Sequence, residues 1–198
     1  MVFLVNTNFI KQNSTKMNFK FLLFTILLFN ISFAQNKDNN LILWSSTNKL
    51  TINDFGIKLS NKNEVPSYGQ YSIDYNLRGF DFLTKNFNKK VRNYFIKSAS
   101  WIDTTSGIAT SLKYQQTVFD LSEIYARHFR KELKDNRIKI LKGFQFAQEL
   151  SEKFTTDFSN RKLLYNKETN FGTIQNKQLD WEIQIQKELE EYKDYSYE

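Results

Sequence analysis

The change of hydrophobic period along the chain constrains its fold most strongly. Tyr71, Ile73, Tyr75 and Leu77 alternate with Ser72, Asp74, Asn76 and Arg78, the period of two that marks a strand with one buried face. Residues 40–44 and 91–101 are further strand candidates, rich in β-branched and aromatic side chains. Residues 50–56 read as a loop or short turn leading into the sheet. From Ile108 the period becomes helical. Leu112, Val118, Leu121, Ile124, Tyr125, Phe129 and Leu133 share one face of a helix over Ile108–Asp135, and Thr104, Thr105 or Ser106 is expected to cap it. A second helix is expected over 138–164, with Leu141, Phe144, Ala147, Leu150, Phe154 and Phe158 as its stripe. A third is expected over 174–192, with Ile174, Trp181, Ile185 and Tyr192. Strands first and helices afterwards predict an α+β fold with segregated layers: a small antiparallel sheet followed by three helices.

Residue counts exclude several chemistries. The 198 residues hold no Cys and one His. A disulfide framework, a lipid-anchored N-terminal Cys, a thiolate zinc site and a Cys nucleophile are therefore absent, and a His-based zinc site lacks its imidazoles. One Pro and six Gly leave few breakers, in keeping with long regular elements. No cofactor and no metal is expected.

The N-terminus reads as an address. Met17-Asn18-Phe19-Lys20 is a short basic start, residues 21–29 are an almost unbroken apolar run, and Ser32-Phe33-Ala34 supplies small residues for cleavage after Ala34. Residues 1–16 read as an upstream extension, 17–34 as a signal peptide and 35–198 as one domain. An uncleaved anchor is the alternative for the apolar run. Lys11, Lys16 and Lys20 leave with the signal, so the formal charge of +7 falls to +4 in the mature chain. The groups Lys89-Lys90-Arg92 and Arg127-His128-Arg130-Lys131 read as solvated faces rather than nucleic-acid contacts. Nothing beyond Gln35 is long and apolar enough to span a bilayer. The expected setting is the cell envelope, periplasmic or secreted.

Other candidate chemistry is sparse. His128 sits among basic neighbours and reads as a surface residue. Asp120 and Glu123, three apart on one helix, supply too few ligands for a hard cation and suit salt bridges to Arg127 and nearby Lys. No Gly-rich loop cradles a phosphate, and no Ser stands in a nucleophile elbow.

One segment carries a motif. Residues 112–127 read Leu-Lys-Tyr-Gln-Gln-Thr-Val-Phe-Asp-Leu-Ser-Glu-Ile-Tyr-Ala-Arg. This resembles the metal helix of a bacterial family of predicted secreted zinc-dependent proteases, domain of unknown function nine hundred and twenty-two. That helix reads Leu-Leu-x-His-Glu-Gln-x-His-Phe-Asp-Ile-x-Glu-x-x-Ala-Arg. Further stretches are similar in the same order. They are Leu50-Thr51-Ile52-Asn53-Asp54-Phe55-Gly56, then Ser100-Trp101, then Tyr165 to Gly172 against a Tyr-x-x-x-Thr-x-His-Gly, and finally Gln178 and Trp181. The resemblance implies a zincin-like architecture. It also implies a site whose residues have changed: Tyr114 and Val118 stand at the two helix His positions, Gln115 at the general base and Phe171 at the third His. Two His at i and i+4 with an adjacent Glu would hold zinc and activate its water, and none of these remains. Phe119, Asp120, Glu123, Ala126 and Arg127 keep the family types. The implied function is non-catalytic, a pseudoenzyme-like binding or structural protein of the cell envelope with a protein or peptide ligand. The rival is an active hydrolase working through an unrecognised site or partner-supplied ligands.

Overall fold

A long strand organises the domain. The computed structural model describes residues 39–60, 65–77, 81–140, 143 and 145–198. The expected extension (1–16) and signal (17–34) lie outside the described residues, as do Leu141 and Phe144 of the expected second stripe. Four strands, β1 (Leu41–Leu43), β2 (Ile57–Leu59), β3 (Ser67–Tyr75) and β4 (Val91–Asp103), precede α1 (Ile108–Asp135), a single turn α2 (Arg137–Ile140), α3 (Gln145–Thr169) and α4 (Gln175–Glu191). The described residues Asn39–Glu198 form one compact unit.

β4 is the centre of the sheet. β3 lies antiparallel along one of its edges, from Ser67↔Ile102 to Tyr75↔Val91. The other edge is shared. β1 pairs antiparallel with residues 94–96, and β2 pairs parallel with residues 101–103. The sheet is therefore mixed, not antiparallel throughout as expected. The chain leaves β1, turns through a short 3₁₀ segment at Ile52–Asp54, and comes back beside Lys97, whose carbonyl accepts from the Gly56 N–H at 2.9 Å. Thr51 stabilises that turn by donating both its N–H (2.7 Å) and its hydroxyl (2.8 Å) to Asp54 Oδ2. β2 escaped the sequence pattern because three residues are too few to show an alternation.

The β3–β4 register slips between Tyr68↔Trp101 and Gln70↔Ile96. The extra β4 residues form a bulge. Ser100 closes it: its hydroxyl accepts from the Gln70 N–H at 2.9 Å and donates to the Ile96 carbonyl at 2.6 Å.

α1 packs against β3 and β4, and α3 and α4 pack against α1. α1 is not a two-sided amphipathic helix. Its central turns are buried around the whole circumference, including Asp120, Glu123, Arg127 and Arg130. Gly107 (φ +65°) takes its N-cap position, without the side-chain cap expected from Thr104, Thr105 or Ser106. Asp103 instead gathers the preceding turn, accepting from the Thr105 N–H (2.8 Å) and hydroxyl (2.6 Å). The second expected helix is split. Gly143 (φ +134°) adopts a backbone that L side chains rarely enter, so α3 begins only at Gln145 and then runs on to Thr169. No helix among the described residues is long and apolar enough to cross a membrane.

Candidate ligand groove

The motif positions of α1 converge with the late motif at one end of the helix. Tyr114 stacks on Tyr165, with ring centroids 5.3 Å apart at 9°, and meets Phe171 edge-on at 6.0 Å. The Tyr114 hydroxyl donates to Asn166 Oδ1. Gln115 reaches the sheet. Its Oε1 accepts from the Tyr71 hydroxyl at 2.6 Å, and its Nε2 donates to Ser67 Oγ at 2.9 Å. Val118, one turn on from Tyr114, is fully buried in the same apolar cluster. Gln178 ties α4 to this group. Its Oε1 accepts from the Tyr165 hydroxyl, and its Nε2 donates to Thr117 Oγ1 (3.0 Å) and Glu182 (2.8 Å). Trp181 packs on Tyr165 and donates to Glu168 at 2.8 Å. The turn after α3 holds Phe171 at φ +55° and Gly172 at φ +81°. The Gly172 N–H donates to Thr169 Oγ1, and a Cβ there would lie 2.8 Å from the Tyr114 Cβ.

Tyr114, Gln115, Val118 and Phe171 do not fit a zinc ion. Two of them are hydrocarbon. The Gln115 amide is engaged at both ends. Burial pushes the Tyr114 hydroxyl well above its ordinary pKa, which disfavours the phenolate a metal would need. Among the described residues no three His, Cys, Asp or Glu side chains gather as a metal-binding group.

Beside this cluster lies a cavity of about 510 Å³ between the outer edge of β3 and α3. All of residues 67–73 line it on one side. Thr155, Phe158, Ser159, Lys162 and Asn166 line it from α3, and Tyr114, Gln115 and Phe171 reach it from below. Among the described residues no strand pairs with this edge of β3. The alternation of an antiparallel ladder fixes which groups face out. The Gln70 N–H turns toward β4 to reach Ser100, and the Asn76 N–H reaches the Lys90 carbonyl. The even-numbered residues of β3 therefore bond to β4, while Tyr71 and Ile73 present their main-chain groups to the groove. The outward carbonyls take only long side-chain contacts, Lys162 Nζ to Gly69 O at 3.5 Å and Gln70 Nε2 to Tyr71 O at 3.3 Å.

Among the described residues that line the groove, Lys162 is the single cation and there is no acid. Its ammonium lies 5.1 Å and 5.3 Å from the ring centres of Tyr68 and Tyr71. Burial lowers its pKa. Tyr71 sits beneath, its hydroxyl pushed well above the ordinary range by desolvation.

The other candidates lie elsewhere. His128 opens on a different cavity, of about 370 Å³, with Tyr192 4.2 Å away, and burial lowers its pKa. Glu123 is a buried hub for Arg127 (3.2 Å) and Arg130 (2.6 Å), which removes those arginines from the solvated face expected of them. Asp120 does not pair with Arg127. It accepts from Trp44 Nε1 and Gln116 Nε2, both at 2.8 Å, and lies 3.9 Å from Lys49. Lys162 and Asn166 were missed from sequence, and Phe158 was read only as part of an apolar stripe. Their signal was the spacing Thr155, Phe158/Ser159, Lys162, Asn166, one face of α3 that mixes polar and apolar types.

Compared with known proteins, the chain matches no family model, no curated protein and no solved structure.

Proposed function

We propose that this chain is an exported, non-catalytic relative of secreted zinc-dependent proteases, with a zincin-like scaffold, and that its groove binds extended peptide segments. The observation that carries this reading is the placement of the cavity along the outer edge of β3. An incoming strand meets the outward main-chain groups of Tyr71 and Ile73 there, and its side chains meet Phe158, Tyr114 and Phe171. Main-chain pairing supplies affinity, and the side-chain recesses supply preference. The pseudoenzyme part is supported by the gathering of Tyr114, Gln115 and Phe171 at the floor of that groove, where each is already satisfied by its neighbours.

The test is a titration of the isotope-labelled full chain with a short capped peptide rich in Val and Thr. The largest amide shifts and the slowest exchange are expected at Gly69, Tyr71 and Ile73. Ile73→Pro, which removes an outward N–H and leaves the β4 ladder intact, abolishes binding. Shifts confined to other faces overturn the reading, as does undiminished binding by a folded Ile73→Pro chain. Stoichiometric zinc that survives dialysis overturns the non-catalytic part. Recovery from cells of a chain beginning at Gln35 is the outcome expected of export.

A further inference from the structure

The groove has a polarity that main-chain pairing does not use. Several other cations of the helical layer are paired with acids. Lys153 pairs with Asp157 at 2.6 Å, Arg161 grips Glu188 with both terminal nitrogens at 2.6 Å, and Lys113 lies 3.5 Å from Glu182. Lys162, one residue on from Arg161, has no carboxylate partner among the described residues. Among the described residues its one polar contact is the 3.5 Å approach to the Gly69 carbonyl, which is long for a hydrogen bond. Yet it is half-buried, with its ammonium between two tyrosine rings at the strand edge. An ammonium drawn out of water without a counter-charge is costly. The rings offset part of that cost. A carboxylate entering the groove would offset more of it, and in a partly desolvated setting a charge-assisted hydrogen bond is stronger than at an open surface.

We propose that Lys162 makes the groove selective for an extended segment that carries an acidic side chain, Asp or Glu, positioned beside Gly69 as the segment pairs with β3. This rests on the peptide-groove reading. The lining fits the assignment. With one cation and no acid among Ser67, Gln70, Tyr71, Ser159, Lys162 and Asn166 and their apolar neighbours, a basic segment meets repulsion and a neutral one leaves the ammonium uncompensated. The aromatic rings around it, Tyr68, Tyr71 and Phe158, exclude water from the pair as it forms. Arg161 cannot compete for the acid, because Glu188 holds it from α4.

The experiment uses the full chain and three capped Val/Thr peptides that differ only at a central residue: Glu, Gln or Lys. The Glu peptide is expected to bind about tenfold more tightly than the Gln peptide, with the Lys peptide weakest, and the gap narrows as salt is added. In Lys162→Met, which keeps most of the aliphatic stem, the Glu and Gln peptides bind alike. Lys162→Arg retains a preference for Glu. Equal binding of the Glu and Gln peptides to the unaltered chain overturns the selectivity and leaves the groove reading intact. Failure of all three peptides to bind overturns the groove reading itself. A Gln peptide with a free C-terminus that matches the capped Glu peptide overturns the side-chain assignment in favour of a terminal carboxylate. A folded Lys162→Met chain that still discriminates Glu from Gln overturns the role of Lys162.

Discussion

Glu123→Ala is predicted to be among the most damaging single changes in this domain. The carboxylate is fully buried on α1, and its Oε1 takes hydrogen bonds from Arg130 Nη1 at 2.6 Å and Arg127 Nε at 3.2 Å. Both guanidiniums are buried as well, and both reach onward to main chain. Arg130 donates to the Val91 carbonyl (3.0 Å) and the Tyr195 carbonyl (3.1 Å), and Arg127 donates to the Leu189 carbonyl and Ser196 Oγ. Alanine removes the one anion between two buried cations. Breaking a buried pair from one side costs about 3–5 kcal/mol. For a chain of this size each kcal/mol is worth about 2–4 °C, so the melting temperature falls by about 6–20 °C. Glu123→Gln keeps an acceptor but loses the charge, and falls between the two. Replacing Glu123, Arg127 and Arg130 together by Leu, Met and Met recovers part of the loss, not all, because the Val91, Leu189 and Tyr195 carbonyls lose their donors. The assay is urea unfolding followed by circular dichroism, with the slope compared between variants to confirm that the same surface is exposed. A loss below about 1 kcal/mol for Glu123→Ala would refute the reasoning, since that is the scale of an exposed pair.

Three other outcomes are expected. Gly69→Ala places a Cβ 2.4 Å from the Tyr71 hydroxyl and 2.6 Å from Gln115 Oε1, forcing those partners apart at a cost of about 1–3 kcal/mol, measured by denaturant unfolding; an unchanged midpoint contradicts the packing of the groove floor. Burial alone would raise the Glu188 carboxyl, but the Arg161 hydrogen bonds and charge outweigh it and hold the group below its ordinary 4.5. A depressed acid contributes stability that is present above that value and lost as pH falls through the folded pKa, so the acid limb of a stability–pH curve is shallower in Glu188→Gln, and an unaltered limb counts against the pair. Combining Tyr114→His, Gln115→Glu, Val118→His and Phe171→His should confer zinc affinity, read by calorimetry; a folded variant that binds no zinc counts against the proposed kinship with the proteases.

What the sequence revealed depended on how many residues each signal spanned. The alternation from Tyr71 to Leu77 and the long stripe of α1 are averaged over many positions, so strand and helix follow from periodicity. β2 has three residues and no such average. Its parallel pairing is set by where the 44–56 connection returns beside Lys97, a tertiary fact. The break at Gly143 was visible as a residue but was overridden by the apolar stripe on either side of it. α1 misled in a different way. Arg127 and Arg130 suggested a solvated face, since buried charges are rare, and Asp120 a salt bridge to Arg127 that it does not make, whereas the Glu123–Arg127 pair expected from their spacing is present. The elements packed around the helix supply further partners that make their burial possible, namely Trp44 for Asp120 and the carbonyls of Leu189 and Tyr195 for the arginines.

The same contrast separates scaffold from recognition. The positions that stood out by motif, Gln115, Ser100, Gln178 and Glu123, are engaged internally: Gln115 by Tyr71 and Ser67, Ser100 by the bulge, Gln178 by Tyr165 and Thr117, and Glu123 through Oε1 by two arginines. A polar group satisfied on the inside has little left to offer a ligand, because taking it away costs what binding would return. On the proposed peptide-binding reading, recognition falls to groups with unspent capacity. In the groove these are the outward main chain of Tyr71 and Ile73 and the ammonium of Lys162, none of which belongs to a motif. Backbone groups carry no sequence signature at all, and a lone lysine among 28 Lys and Arg carries almost none. The packed floor of Tyr114, Gln115 and Phe171 bridges β3 and α3. On the proposed reading it would hold the open edge ready for a ligand without first having to be ordered.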